Sequence, residues 1–490
     1  MLADGGNAVD AVLAANLALG VVAPHLCGYG GDVFALVWDG DALYGYLGSG
    51  RSPQAVAPAT VAAEHATMPV LGAHSITVPG AIAGWFALLD RFGTRSFGDL
   101  AHAGLTYARD GFTVSARGAE LLAACTSLYA DFPDILAVYG DGTEAGATLR
   151  QPALARTIET LGADGPDAYY RGPIAETIIA AVQSAGGAIT AHDLVAHAGA
   201  WTQPLRAPYR DAVIAELPPP TQGVTALEAL RIVDGFALPP DGADRHHLLV
   251  EAVKQALSDR DAYVSDPEAM PLDPAELLAD GWVADRRARI DPERATTPAS
   301  GQPRRGGTAY LCAADADGML VSLIQSNFLA FGSGVHVPEW GINLNNRGSS
   351  FSLAPGHVNE LAPAKLPMHT LIPAMALRDG RPTLVFGTMG GDAQAQVHVQ
   401  LLARIIDDAS DIQDAVDAPR WAVDAATWRV AMETCFAPEI PNGLKARGHT
   451  VRTTSDLDTG MGHAHAIAVL GRDGYAVATD PRAEGAALGI

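Results

Sequence analysis

A threonine that directly follows two glycines is the residue of this sequence best placed for covalent chemistry. In the segment RRGGTAYLC, Thr308 follows Gly306 and Gly307 where a polar, unpatterned stretch becomes a strand pattern. If the peptide bond before Thr308 is cut, the threonine hydroxyl becomes a nucleophile. The freed α-amine, whose ordinary pKa is about 7.7–8.0, can serve as the base, so one residue supplies both groups without a histidine. On spacing alone, a plain Gly-Gly-Thr linker before a strand remains an open interpretation.

Other catalytic and metal-binding motifs are absent from the sequence. It contains no GxSxG, HExxH, Walker A or GxGxxG pattern. Histidine pairs occur at His246-His247 and at His463 with His465, and as metal ligands they would need carboxylate partners at set spacing. We interpret them as a surface pair and a strand or loop pair. No cofactor and no metal are expected.

The composition excludes several classes of protein. With 490 residues, of which 48% are hydrophobic and 18% charged, the chain is globular and long enough for a large core. A formal charge of −23 argues against nucleic acid or an anionic membrane as a partner. The four cysteines (Cys27, Cys125, Cys312, Cys435) are far apart and form no CxxC pair, so no zinc knuckle, redox dithiol or disulfide scaffold is indicated.

The N-terminal region carries no sign of export. No basic segment precedes an apolar one, and the longest apolar stretch, near Ala11 to Pro24, is interrupted by Asn16 and is too short to span a bilayer. A cytoplasmic location is therefore expected. The abrupt start at Met1 leaves open that upstream sequence is missing.

Helical and strand patterns alternate around the candidate nucleophile. The segment NAVDAVLAANLALGVVAP predicts a buried helix that is capped by Asn7 and ends near Pro24. It is followed by a Gly-rich turn and by VFALVWDGDALYGYLGSG, which predicts two strands joined by an Asp-Gly turn. Residues from about Ala81 to Val264 are richer in helical patterns, while ELPPPTQG predicts a rigid loop.

The last third of the chain is richer in strands. DPERATTPASGQPRRGG is polar and without period, which predicts a loop or linker before Thr308. TAYLCAAD, LVSLIQS, GINLNN and PTLVFG predict short strands, and HAIAVLGRDGYAVATD predicts a strand-turn-strand unit. The whole pattern indicates stacked sheets flanked by helices.

The order of these segments resembles that of the γ-glutamyltransferase family over nearly the whole chain, from Asp4 to Pro481. The segments that carry the resemblance are GGNAVDAVLAANLALGVVAPHLCGYGGDVFALVWDG, TVPGAIAGWFALLDRFG, ELPPPTQGVTALEAL, VEAVKQALSDRDAYVSDP, AADADGMLVSLIQSN, FGSGVHVP, GINLNNRG, FGTMGGDAQAQVHVQ, DAPRW and ATDPR. The resemblance implies an N-terminal nucleophile hydrolase of α+β class. Such a protein has a four-layer αββα sandwich and is made as one proenzyme that cleaves itself into two interwoven subunits.

The resemblance places the nucleophile and the cleavage point. The family's threonine opens the strand that leads into a D-x-D-G turn, which here is the turn beginning at Asp315, so the nucleophile is Thr308. Cleavage between Gly307 and Thr308 would give a large, helix-rich subunit of residues 1–307 and a small subunit of residues 308–490. Together the two subunits would form one αββα domain. The family usually has Thr-Thr-His here, whereas this chain has Thr308-Ala309-Tyr310.

Two further catalytic positions follow from the resemblance. The next strand of the family carries a hydroxyl that hydrogen-bonds the α-amine or the hydroxyl of the nucleophile, and Ser326 stands at this position. The family's two oxyanion-binding glycines match Gly390 and Gly391 in TMGGDAQ. Their backbone N–H groups would face the developing negative charge.

The substrate-binding positions depart from the γ-glutamyl pattern. Ser49 or Gly50 stands near the place of the arginine that holds the α-carboxylate, and Arg51 is displaced by about two residues. An asparagine that the family has near Phe328 is missing, although Asn327 is adjacent.

Two more departures change the charge of the pocket. Arg347, with Ser349 and Ser350, replaces the acidic residue that pairs with the α-ammonium group, and His369-Thr370 replaces a Ser-Ser pair. These changes remove the clamp for a zwitterionic amino acid and suit an anion instead. The pattern resembles the branch of the family that includes oxamate amidohydrolase and acylases.

The sequence therefore predicts an amidohydrolase that cleaves a small, oxamate-like amide through an acyl-enzyme on Thr308, with Arg347 or Arg51 on the carboxylate. One alternative is a γ-glutamyl hydrolase or transferase of glutathione metabolism with Arg51 as a shifted clamp. Another alternative is an uncleaved, inactive homologue that only binds ligands. The expected partners are a small-molecule substrate and the self-derived subunits, with a homodimer of these as a further expectation.

Overall fold

The computed structural model describes residues 1–299, 306–471 and 474–490. Its contacts divide the chain into two compact units. The first unit comprises Met1–Thr202, Gly306–Pro367 and Ile490, and the second comprises Gln203–Arg305 and Met368–Gly489. Each unit therefore combines an early and a late part of the sequence.

The helices of the described residues are concentrated in the first two thirds of the sequence, as the periodicity predicts. They are α1 (Ala8–Val22), α2 (Pro58–Glu64), α3 (Ala81–Phe92), α4 (Phe97–Asp110), α5 (Ala116–Leu128), α6 (Pro133–Tyr139), α7 (Pro152–Asp164), α8 (Asp167–Tyr170), α9 (Pro173–Ser184), α10 (Ala191–Ala196), α11 (Gly223–Asp234), α12 (Ala243–Tyr263), α13 (Asp280–Ala288), α14 (Ala393–Leu402), α15 (Ile412–Asp417) and α16 (Glu439–Ala446). Within the described ranges, none of these helices is long and apolar enough to cross a membrane.

The strands are short and lie in both units. They are β1 (Asp32–Trp38), β2 (Leu43–Gly48), β3 (Phe112–Thr113), β4 (Thr148–Leu149), β5 (Ala200–Thr202), β6 (Leu205–Tyr209), β7 (Ala212–Glu216), β8 (Gly307–Ala314), β9 (Leu320–Phe328), β10 (His336–Val337), β11 (Ile342–Asn343), β12 (Ala374–Arg378), β13 (Arg381–Thr388), β14 (Trp421–Val423), β15 (Val430–Glu433), β16 (Val451–Thr454), β17 (Ala464–Val469) and β18 (Tyr475–Thr479).

The first unit is built on an antiparallel sheet of order β5-β2-β1-β9-β8. The predicted hairpin with an Asp-Gly turn is confirmed as β1 and β2, and the two strands predicted around Asp315 are confirmed as β8 and β9. Every residue of β1 and β9 is buried, which explains their nearly continuous apolar sequences. The predicted strand that begins with Thr308 is thus an edge strand of this sheet.

Helix α1 packs against this sheet, and its start is set by the sequence. Asn7 accepts a hydrogen bond from the N–H of Asp10, and the Asp10 carboxylate accepts one from the N–H of Asn7, so the predicted cap is confirmed as a reciprocal pair. Asn16, the polar residue within the apolar stretch, accepts a 2.6 Å bond from the indole N–H of Trp85 on α3. The buried amide therefore has a partner that links two core helices.

The second unit contains an antiparallel sheet of order β18-β17-β13-β12-β7-β6. Its core includes apolar residues of α11, α12 and α14 together with this sheet. The Pro-rich loop ELPPPTQG begins at the end of β7 and leads into α11, so its prediction as a loop is confirmed. The predicted linker before Thr308 falls partly on residues 300–305, which lie outside the described residues.

Candidate active site

Thr308 lies at an irregularity in the edge strand β8. Gly307 pairs with Phe328 and Ala309 pairs with Gln325, so the register shifts between them and Thr308 stands at a bulge. Such a bulge takes one residue out of the regular ladder and redirects its side chain. Thr308 is buried, and its backbone stands outside the regular pairing of the strand.

Ser326 contacts both the Thr308 hydroxyl and the peptide bond before it. Its Oγ accepts a hydrogen bond from Thr308 Oγ1 at 3.3 Å and donates one to the carbonyl oxygen of Gly307. The same Oγ accepts the N–H of Phe328 at 2.7 Å, which fixes the serine rotamer. The predicted pair of Thr308 and Ser326 is therefore brought together on neighbouring strands.

This geometry suits attack of Thr308 on its own preceding peptide bond. When a hydroxyl adds to a carbonyl carbon, negative charge develops on the carbonyl oxygen, and a hydrogen-bond donor aimed at that oxygen stabilises the charge. The donor to the Gly307 carbonyl is Ser326, which also touches the attacking hydroxyl. The same arrangement would hold the Thr308 hydroxyl after cleavage.

Tyr310 stands where the family usually has a histidine, and this replacement leaves the contact between Thr308 and Ser326 intact. The Tyr310 hydroxyl lies 2.8 Å from Ser322 Oγ, on the partner strand. It thus pairs with a different hydroxyl from the one that touches Thr308.

Strand β1 brings an acidic side chain to the same place. Asp32 is the register partner of Ser326. The backbone before Asp32 can lie close to Ser326 because Gly31 has no side chain: a Cβ at Gly31 would lie 2.3 Å from the carbonyl oxygen of Ser326. Asp32 escaped the sequence analysis, although an acidic residue at the head of the apolar strand DVFALVW is a signal that could have identified it.

Asp32 is a buried carboxyl group with a strongly perturbed pKa. Burial raises its pKa to about 7, against the opposing effects of the Arg347 guanidinium and of the backbone N–H groups of Gly50 and Gly80. A carboxyl group with such a pKa changes its charge near neutral pH. Because Asp32 lies near the Arg347 guanidinium, the charge of Asp32 can change how strongly Arg347 attracts an anion.

Arg347 is buried and lies beside the candidate nucleophile's strand pair. Its guanidinium carbon lies 3.9 Å from the ring centre of Phe328, the residue that pairs with Gly307, and its Nη1 donates to Ser350 Oγ at 3.3 Å. The side chain is only 1% exposed, so it is not a solvated charge at the rim. Phe328 itself has a positive φ of 80°, a strained conformation for an aromatic residue.

Two predicted binding residues bury polar atoms that have no partner among the described residues. Neither Oδ1 nor Nδ2 of Asn327 is hydrogen-bonded, and the same holds for Oγ of Ser49. Unsatisfied buried polar groups are uncommon and costly, so each is a candidate for contact with a ligand. Arg51, by contrast, donates from Nη1 to the carbonyl oxygen of Ala364 at 2.8 Å.

In the second unit, the two predicted oxyanion glycines form a tight turn before α14. Gly390 and Gly391 have φ values of 138° and 57°, which only glycine adopts without strain. The carbonyl oxygen of Gly390 accepts the N–H of Ala393 at 3.0 Å, so the turn is fixed to the first residue of the helix. A helix N-terminus adds a partial positive charge that favours an anion.

His369 and Thr370 lie in a buried loop of the same unit. The His369 carbonyl accepts the N–H of Gln222 at 2.8 Å, and its N–H donates to the carbonyl of Pro220 at 2.7 Å. The Thr370 carbonyl accepts Nε2 of Gln222 at 3.0 Å. The predicted pair is therefore held by its backbone against the Pro-rich loop.

The comparisons with known proteins identify the family. The family model for γ-glutamyltranspeptidase matches residues 1–490. The chain belongs to the γ-glutamyltranspeptidase family. The predicted α+β fold class and the predicted enzyme class, an amide hydrolase or acyltransferase of this family, are thereby confirmed.

Three members of the family illustrate the similarity. The glutathione hydrolase-like YwrD proenzyme of Bacillus subtilis is 36% identical over 100% of this chain and 95% of its own length. The oxamate amidohydrolase proenzyme of Klebsiella pneumoniae is also 36% identical, over 100% of this chain and 95% of its own length. The crystal structure of cephalosporin acylase from Bacillus halodurans is 35% identical, with a TM-score of 0.94 over 99% of this chain and 92% of that one.

Of the two histidine pairs, one lies where the sequence predicts and the other does not. His246 and His247 are buried on α12, so the prediction of a surface pair is wrong; most residues of this helix, charged ones included, are buried, which makes it a core element. His463 precedes β17 and His465 lies on it, which confirms the strand or loop pair. Burial favours polar partners, and His246 Nδ1 lies 3.0 Å from the indole nitrogen of Trp421.

Groups of three histidines and carboxylates whose ligand atoms are close enough to hold a metal ion occur at two places in the described part of the chain, Glu64–His65–His74 and His247–Glu251–His449. In the buried cluster the Lys254 ammonium lies 2.8 Å from Glu251 Oε1 and 3.3 Å from His449 Nδ1. Burial, followed by the charge of Lys254, lowers the pKa of His449 to about 3, so this histidine is neutral. The buried cluster is a hydrogen-bonded network that already contains a cation.

Proposed function

We propose that the chain is a self-cleaving amidohydrolase that uses Thr308 as its nucleophile and acts on a small amide bearing a carboxylate, with oxamate as the model substrate. The observation that carries the proposal is the contact of Ser326 with both the Thr308 hydroxyl and the Gly307 carbonyl. The similarity to an oxamate amidohydrolase proenzyme supports the same chemistry.

The first step creates the nucleophile. Thr308 Oγ1 adds to the carbonyl carbon of Gly307 while Ser326 stabilises the oxygen, and the C–N bond breaks to leave an ester and the free α-amine of Thr308. Water then hydrolyses the ester, so that Gly307 carries a carboxylate and Thr308 becomes the first residue of the small subunit. The subunits are residues 1–307 and 308–490.

The catalytic cycle repeats the same attack on a substrate. The Thr308 α-amine accepts the hydroxyl proton, Oγ1 adds to the substrate carbonyl, and ammonia or an amine leaves with that proton. The N–H groups of Gly390 and Gly391 stabilise the oxyanion, in the role implied by the family resemblance. The amine then activates water to hydrolyse the acyl-enzyme.

The charged residues favour an anionic substrate without an ammonium group. Arg347 can bind a carboxylate in a bidentate fork, and the unpartnered amide of Asn327 can bind a second polar group. Asp32 is an acidic group that interacts with Arg347, and its pKa of about 7 leaves it largely neutral below that pH. Ser49 supplies a further buried hydroxyl, and His369 and Thr370 are proposed to complete the binding residues from their own loop.

Hydrolysis of two substrates tests the substrate class. Purified, processed enzyme is expected to release ammonia from oxamate with a higher kcat/KM than it releases p-nitroaniline from γ-glutamyl-p-nitroanilide. Arg347 favours the carboxylate of oxamate, whereas the amino acid clamp needed by the γ-glutamyl group is missing. Rapid turnover of the anilide alone would refute the proposed substrate and favour a γ-glutamyl hydrolase or transferase.

The KM for oxamate is expected to depend on pH. Below pH 7 Asp32 is mostly protonated and attracts Arg347 less strongly; above pH 7 Asp32 becomes an anion that competes with the substrate for the same cation. The KM should therefore rise as the pH increases, by at most about tenfold for each pH unit above 7. Steady-state kinetics from pH 6 to 8.5 measure this rise.

The Asp32→Asn variant is the control for this pH dependence. It removes the titrating group but keeps an oxygen for the N–H groups of Gly50 and Gly80, so its KM should stay flat. Oxamide, the neutral diamide, corrects for titration of the Thr308 amine because it does not need Arg347. A rise in KM that persists in Asp32→Asn would contradict the assignment.

A γ-glutamyl hydrolase or transferase is the second candidate, because the relatives include glutathione hydrolase proenzymes. It would require Arg51 to leave the Ala364 carbonyl and hold the substrate carboxylate. A cytoplasmic location and a homodimer of the processed pair remain predictions.

A further inference from the structure

The conformation of Gly390 and Gly391 is held by groups outside the glycines themselves. Two consecutive glycines have wide backbone freedom, and fixing each residue costs roughly 1–2 kcal/mol of conformational entropy. The peptide between them is planar, so the hydrogen bond from Ala393 N–H to the Gly390 carbonyl directs the Gly391 N–H away from the helix. The Gly391 carbonyl accepts the N–H of Gln394 at 3.2 Å, and a second hydrogen bond to this carbonyl would further fix the peptide plane on the other side of the Gly391 α-carbon.

Gln222 supplies that second hydrogen bond from the Pro-rich loop. Its Nε2 donates to the Gly391 carbonyl at 2.9 Å and to the Thr370 carbonyl at 3.0 Å. Both N–H groups of the side-chain amide are thus used on two backbone oxygens. One side chain therefore ties the glycine turn to the loop that carries His369 and Thr370.

Arg260 on α12 in turn fixes Gln222. Its Nη1 donates to Gln222 Oε1 at 2.9 Å and to Asp392 Oδ1 at 2.8 Å. Asp392 is the residue directly after Gly391, so Arg260 reaches the turn both directly and through the glutamine. Arg260 and Gln222 are fully buried, and a buried polar network of this kind is rigid only when each member has its partners.

We propose that Gln222 and Arg260 are positioning residues that hold the glycine turn, and with it the Gly391 N–H, in the direction needed to bind an oxyanion. The catalytic consequence rests on the proposed function, whereas the effect on the glycine turn does not. A purely structural polar network would lower stability when cut, with no selective effect on the turn or on kcat. Positioning predicts a local effect at the turn and a fall in kcat.

The variants Gln222→Leu and Arg260→Lys test the proposal, with Gln400→Leu as the matched control. Gln400 is also a buried glutamine whose side chain bonds to backbone groups. Its Nε2 donates to the Trp421 carbonyl at 2.9 Å, its Oε1 accepts the Trp421 N–H at 3.1 Å, and it does not touch the glycines. Hydrogen exchange followed by mass spectrometry is measured on the peptide spanning residues 388–396 in the processed proteins. Exchange in this peptide should be at least tenfold faster in Gln222→Leu than in the wild type and near wild type in Gln400→Leu.

Kinetics provide the second measurement, with oxamate and γ-glutamyl-p-nitroanilide as the substrates used. The kcat of Gln222→Leu should fall about tenfold to a hundredfold with KM within about twofold, as for the partial loss of oxyanion stabilisation. Arg260→Lys keeps the positive charge but loses the planar guanidinium that reaches both Gln222 and Asp392. Its kcat should fall less than that of Gln222→Leu. Wild-type exchange at residues 388–396 in Gln222→Leu, or an equal fall in kcat for Gln400→Leu, would overturn the proposal. A wild-type enzyme that hydrolyses no amide would refute the proposed function, while the exchange comparison still decides the positioning role.

Discussion

Thr308→Ala is expected to yield a single full-length band on a denaturing gel, where the wild-type protein yields two bands of unequal size. Without the hydroxyl there is no nucleophile to add to the Gly307 carbonyl, although Ser326 can still polarise it. Amide hydrolysis should fall at least about a thousandfold, because removing a covalent nucleophile costs several orders of magnitude in kcat. Gel electrophoresis and N-terminal sequencing of the smaller fragment, which should begin at Thr308, provide the measurement.

Thr308→Ser is the control for this prediction. It keeps the hydroxyl and the α-amine, so it should still cleave, though at a different rate because the methyl group no longer limits the rotamer. Two fragments from Thr308→Ala, or a single band from the wild type after long incubation, would contradict the assignment. The second result would favour the uncleaved homologue.

The Ser326→Ala variant tests, on the same gels, whether Ser326 accelerates self-cleavage. Ser326→Ala removes the donor to the Gly307 carbonyl and the acceptor of the Thr308 hydroxyl, but not the nucleophile. Slow cleavage that finally reaches completion would mean that the serine accelerates the step, whereas an unchanged rate would mean that its contact is only structural.

The sequence predicts those features of the molecule that depend on neighbouring residues. The cap at Asn7, the β1–β2 hairpin and the strand that starts at Thr308 follow from patterns within a few residues, and all are present in the structure. The candidate site residues could be assigned by the resemblance because the family's motifs keep their order. The burial of His246 and His247 was missed, since a histidine pair has the same local sequence on a surface and in a core.

Features that depend on long-range pairing could not be predicted. Asp32 becomes part of the candidate site only because β1 pairs with β9 in a register that sets it against Ser326. Gln222 and Arg260 look like ordinary loop and helix residues until the fold brings Gln222 to the Gly391 carbonyl and Arg260 to Asp392. The bulge at Thr308 likewise arises from the pairing of two strands and leaves no signal in either strand alone.

Arg347→Met is expected to lower kcat/KM for oxamate about a hundredfold while changing that for oxamide only slightly. The fall corresponds to the loss of about 2.7 kcal/mol, within the range for hydrogen bonds to charged groups. Loss of the cation also removes the effect that holds down the pKa of Asp32, so this carboxyl becomes neutral and adds no uncompensated charge to the fold.

Arg51→Met decides between the two arginines as the carboxylate clamp. Arg51 is bonded to the Ala364 carbonyl, so its replacement should change kcat/KM for oxamate much less than Arg347→Met does. The difference between oxamate and oxamide in each variant isolates the carboxylate contact from general damage to the site. If Arg51→Met alone abolishes the preference for the anion, Arg51 is the clamp and Arg347 serves to balance Asp32 within the fold. If Arg347→Met alone abolishes it, the substrate carboxylate and Asp32 compete for one buried cation, and the charge of Asp32 then sets the pH range in which the enzyme binds its substrate.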